Sequence, residues 1–117
     1  MHGRYQQVQP RPWPSGYGET IALLEPSPEW LSARYGLSFF DGSDNLDDYH
    51  AAAVQLPSGR IVGILRHVGA PFEGVEVQAD AHDDPAAAVD ELLDCLGLPA
   101  STCTWLRNES GVPAAAR

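Results

Sequence analysis

The fold turns on residues 51–68, AAAVQLPSGRIVGILRHV. Two apolar runs, Ala51 to Leu56 and Ile61 to Val68, flank Pro57-Ser58-Gly59-Arg60. A short Gly-containing loop between two such runs predicts a β-hairpin. In the second run Ile61-Val62-Gly63-Ile64-Leu65 is apolar at consecutive positions. Successive strand residues face opposite sides of a sheet, so this run predicts a central strand covered on both faces.

Towards the C-terminus, Val75, Val77 and Ala79 alternate with Glu76, Gln78 and Asp80. That period belongs to a strand with one buried and one wet face. Asp84 and Pro85 read as the cap and first position of a helix, and Gly97 as its stop. Between them Val89, Leu92, Leu93 and Leu96 fall at i, i+3, i+4 and i+7, a single apolar stripe. Thr102 to Arg107 favours β structure and predicts a last strand, with a turn of helix as the alternative. Towards the N-terminus, Ile21-Ala22-Leu23-Leu24 predicts a first strand. Ser27-Pro28-Glu29 opens a short helix that carries Trp30, Leu31 and Tyr35 and stops at Gly36.

The predicted order β-α-β-β-β-α-β is that of an α+β fold, a mostly antiparallel sheet packed against two helices. A chain of 117 residues suits one domain, here expected over residues 17–107. Residues 1–16 are rich in Gln and Pro without apolar period, which predicts a disordered arm. Residues 108–117 read as a flexible tail.

Charge narrows the functions. The net charge is −9, lysine is absent, and the seven basic residues are all Arg. All sixteen carboxylates lie between Glu19 and Glu109, where the only cations are Arg34, Arg60, Arg66 and Arg107. Such a field repels nucleic acid and anionic membrane and attracts basic partners. There is no P-loop, dinucleotide fingerprint, nucleophile elbow or HExxH, and Cys95 and Cys103 are too far apart for CxxC. No cofactor or metal is expected. Without a secretory pattern or a long apolar run, the expected location is the cytoplasm, with both thiols free.

Two regions are candidate sites. The first is the acidic stretch Asp41, Asp44, Asp47 and Asp48, bordered by Phe39, Phe40 and Tyr49 and read as loop from Gly42, Ser43 and Asn45. A calcium loop fails in both registers. Counting from Asp41 puts Leu46 at the Gly position and Ala52 at the Glu position; counting from Asp44 puts Leu46 at a ligand position. Carboxylates beside aromatic anchors suit a contact with an Arg/Lys-rich surface, and Phe72 with Glu73 forms a second such contact point. The second region is Arg66 and His67 at a strand end, an alternative pocket for an anion or for acid/base chemistry. Size, acidity and the lack of catalytic motifs favour an interaction module for a basic protein partner. Its sharpest form is an inhibitor or immunity protein against a bacterial toxin. The alternative is a small enzyme or ligand-binding domain built on Arg66 and His67.

Overall fold

The structure is a computed structural model and describes residues 5–10, 18–43, 47–80 and 83–107. Its strands are β1 (Gln6–Val8), β2 (Glu19–Leu24), β3 (Phe40–Ser43), β4 (Asp48–Gln55), β5 (Ile61–His67), β6 (Val75–Ala79) and β7 (Cys103–Leu106). Helix α1 spans Pro28–Tyr35 and α2 spans Pro85–Leu96; a 3-10 turn, Ala100–Thr102, leads into β7. The seven strands form one sheet, β1-β4-β5-β6-β2-β7, with β3 also on β4, and every pairing is antiparallel. The fold is α+β.

The hairpin reading of residues 51–68 holds, with β4 and β5 in register from Tyr49↔His67 to Gln55↔Ile61. The strand period decides what is buried where. Val54, Val62, Ile64, Val75, Val77, Ala22 and Leu24 share one face and join Leu31, Val89, Leu92 and Leu96 in the main core. Both described helices therefore lie on that face. On the opposite face a smaller cluster forms from Tyr49, Ala51 and Leu65. None of the helices is long and apolar enough to cross a membrane, among the described residues.

The helix ends follow the sequence signals. Ser27 accepts from the Trp30 N–H (3.1 Å), and Asp84 accepts from the Ala87 N–H (3.4 Å). Past α2, Gly97 and Leu98 donate back to Asp94 and Leu93 (3.1 and 2.9 Å), closing carbonyls that would otherwise be orphaned. Cys95 and Cys103 are free and buried.

Two strands correct the sequence reading. Gln6–Val8, expected within a disordered arm over residues 1–16, pairs with Val54 and its neighbours as β1. Backbone pairing needs no apolar alternation at a sheet edge, so composition hides it. Gln7 strengthens the arrangement: its side-chain amide donates to the Ser38 carbonyl (2.6 Å) and accepts from the Ser38 N–H (3.0 Å). Residues 1–4 and 11–16 of that expected arm, and the tail 108–117, lie outside the described residues. The second correction is β3. Phe40–Ser43 lies in a segment that Gly42, Ser43 and Asn45 mark as loop, yet it pairs residue by residue with Asp48–Ala51. β4 consequently begins at Asp48, three residues before the apolar run.

Candidate functional site

Antiparallel pairing collects distant segments at one end of the sheet. β3 ends there and β4 begins there; β5 ends, β6 begins, β2 ends and β7 begins at the same level. Four connections therefore crowd together: the β3–β4 turn, the β5–β6 loop, the β2–α1 junction and the turn before β7. Specific bonds tie them. The Val68 N–H donates to the Asp48 carbonyl (2.9 Å), and the Gly69 N–H donates to Asp47 Oδ2. The other Asp47 oxygen accepts from the Asp48 N–H (2.8 Å). Asp47 thus staples the acidic turn to the loop that carries Phe72 and Glu73. The Glu25 N–H donates to the Thr102 carbonyl (2.9 Å), joining the remaining two connections.

The acidic turn and the Phe72–Glu73 loop, separate in sequence, are neighbours in space. Beside them lies a cleft of about 420 Å3 lined by Asp41, Gly42, Ser43, Asp48, Tyr49, His50 and Val68. Gly42 is required there, because a Cβ at that position would run into the Tyr49 ring. Ser43 Oγ donates to Asp48 Oδ1 (2.8 Å), and His50 Nδ1 meets Asp41 Oδ1 at 2.7 Å. The Asp41 side chain is 87% exposed, so this pair is solvated and weak.

Two of the arginines pair with acids elsewhere, one lies against aromatic rings and one serves the backbone. Arg60 pairs with Glu91 (3.1 Å) and Asp83 (3.5 Å), and Arg107 with Glu19. Arg34 lies against Trp30 and Tyr35, 5.9 and 6.0 Å from the ring centres. Arg66 is at the acidic end, but its Nη1 donates to the carbonyls of Phe72 and Gly74. The field of Glu25, Asp41, Asp48 and Glu73 is left to face solvent.

The sequence-predicted residues fare unequally. Asp41, Asp47, Asp48 and Glu73 gather at this end, and Asp44 lies outside the described residues. Tyr49 is corrected: at 7% exposure it is a buried member of β4, edge-on to the His67 ring (5.9 Å), and does not project as an anchor. The exposed large apolar groups among the described residues are Trp30 (43%), Phe40 (42%) and Val68 (55%). Phe72 is half-buried. Arg66 and His67 do not share a pocket. As adjacent strand residues they face opposite sides of the sheet. Arg66 is cross-strand from His50 and serves the loop carbonyls. On the other face His67 Nδ1 meets Glu76 Oε2 (2.9 Å), whose Oε1 accepts from Thr20 Oγ1 (2.6 Å). That row is a satisfied structural histidine.

Sequence reasoning missed Val68, Glu25 and Trp30 as members of this end. A signal existed for Glu25 alone, which sits next to the helix-start signature Ser27-Pro28. No known protein family, no curated protein and no solved structure matches this chain.

Proposed function

We propose that this chain is a small interaction module whose acidic end captures a basic protein, in its sharpest form an immunity protein that neutralises a bacterial toxin. The observation that carries the reading is the gathering of two acidic segments at one end of the sheet, while the arginines are engaged by other groups. Carboxylates there would enter the cationic surface of the partner and be steered to it over long range. Val68 at this end, and Phe40 further along β3 opposite Ala51, supply exposed apolar surface for contacts made after docking. Close charge pairs in such complexes couple by about 1.5–7 kcal/mol when desolvated.

The test is association kinetics. Each basic protein encoded beside the gene is produced separately and passed over the immobilised chain. One should bind, with an on-rate that falls by about tenfold or more from low to physiological salt. Asp41→Asn with Asp48→Asn should slow association and flatten that salt dependence, and Phe40→Ala should instead speed dissociation. Failure of every such protein to bind, or an on-rate indifferent to both salt and the Asn pair, removes the reading.

A further inference from the structure

A second cleft opens at the same end, on the far side of the β5–β6 loop. Its volume is about 480 Å3, and its walls include Glu25, Trp30, Glu73, Leu98, Pro99 and Thr102. Gly74 brings the two acidic walls together: a Cβ there would collide with the carbonyl oxygens of Leu24 and Glu25, so only glycine lets the loop lie against the β2–α1 junction. Glu73 and Glu25, forty-eight positions apart in the chain, thereby border one space. Both are exposed.

Trp30 decides what the space fits. It is the most bulky exposed side chain of the described residues, 43% accessible, and tryptophan is a poor choice for open solvent. Its ring already holds one guanidinium, that of Arg34, at 5.9 Å. An indole face attracts cations, and arginine stacks on it better than lysine because its charge is planar and weakly hydrated. Leu98 and Pro99 give apolar surface for a methylene stem. The N-terminus of α1 also opens here, and its partial positive charge opposes a cation. That half-charge is answered by Glu29 in the first turn and by the Ser27 cap.

We infer that this cleft receives an arginine side chain of the basic partner, stacked on Trp30 and paired with Glu25 and Glu73. The inference rests on the acidic-end reading for the source of the arginine, but the binding chemistry is testable without any partner.

The full chain is titrated with N-acetyl-arginine amide and followed by amide and indole NMR shifts. Parallel titrations use the citrulline analogue, of the same length without charge, and the lysine analogue. The Trp30 indole N–H and the Ser27 and Thr102 amides should shift saturably with arginine, less with lysine and not with citrulline. Glu25→Gln with Glu73→Gln should weaken the arginine response by about three- to tenfold, the size two solvated carboxylates supply. Asp90→Asn, on the exposed side of α2 and outside both clefts, should leave it unchanged. Equal responses to arginine and citrulline, shifts no larger around Trp30 than around Asp48, or an unaltered response in the Gln pair would each overturn the site. If Trp30 stays silent while Asp41 and Asp48 still govern capture of a basic protein, this cleft is ruled out and the acidic-end reading stands. The reverse result removes that reading and keeps the cleft.

Discussion

The two ends of the sheet use the same residue types for opposite purposes. At the end where β4 turns into β5, Glu91 accepts from the Ser58 N–H (2.8 Å), the Ser58 hydroxyl (2.7 Å) and Arg60 (3.1 Å). Asp83 adds a second carboxylate against Arg60 Nε, and Arg107 closes on Glu19. Each of the two arginines there is paired with carboxylate, and Glu91 pins a turn to a helix. At the other end Asp41 and Asp48 border one cleft and Glu25 and Glu73 another, while Arg66 spends its donors on carbonyls and Arg34 stacks on Trp30. The lesson is that net charge says little until the cations are placed. Of the four arginines in the folded region, Arg60 and Arg107 pair with carboxylates, whereas Arg34 and Arg66 at the acidic end are given over to rings and carbonyls.

The contrast breaks most visibly through stability. Glu91→Ala should cost about 1–2 kcal/mol, because it strips the Ser58 N–H and hydroxyl and the part-buried Arg60 of their acceptor. Glu73→Ala at the acidic end should stay within about 0.5 kcal/mol as an exposed substitution. Urea melts of the two variants give the comparison directly, and equal losses would erase the distinction between the ends.

A smaller effect tests the edge of the pinned end. β1 lies against residues 53–55 of β4, and β3 against residues 48–51, so each covers a different half of the same edge. Deleting residues 1–9 should cost about 1–2 kcal/mol, the worth of a ladder bond or two together with the Gln7–Ser38 pair. A melt identical to that of the full chain would return the whole N-terminal segment to the status its composition suggests.

The smallest expected effect is alkaline. Burial pushes the Cys95 thiol above its ordinary value of 9.0, with Glu91 and Asp94 adding to the rise. Burial likewise raises Tyr5 above 10.0, helped by Tyr35 and Cys95. Both groups hold their protons more tightly when folded. Their contribution is fully present below the ordinary values and is lost as pH climbs through the raised ones. Denaturant melts should therefore weaken above pH 9, and Cys95→Ala with Tyr5→Phe should flatten that decline. Because both groups neighbour the pinned side of the core, the acidic-end variant Glu73→Ala should leave the alkaline slope intact.

Much of the frame was legible in the chain. The hairpin, the alternating strand after it and both helices were written in apolar period, Ser27 and Asp84 caps and closing glycines. β1 and β3 were not, because Gln6-Gln7-Val8 and Phe40-Asp41-Gly42-Ser43 carry no apolar alternation and owe their state to strand partners elsewhere. Missing β3 had a consequence at the site. It left Tyr49 in a loop, where an aromatic next to carboxylates looks like an anchor, whereas strand pairing opposite His67 buries it. Arg66 and His67 were misjudged for the converse reason: adjacency in sequence inside a strand means separation onto two faces.

By itself the sequence determined the α+β class, the central position of Ile61–Leu65, the apolar face of α2 and the scarcity of cations in the folded region. These follow from local periodicity and composition, which need no knowledge of neighbours. Only the tertiary structure decided which acids stay exposed and which become structural, because Glu91 and Glu73 are the same residue until Arg60 and Ser58 stand beside one of them. It also decided that Glu25, Trp30 and Glu73 share a cleft. Antiparallel pairing brings strand ends from distant parts of the chain to one level, and the order in which strands pair is set by the packing of the whole sheet.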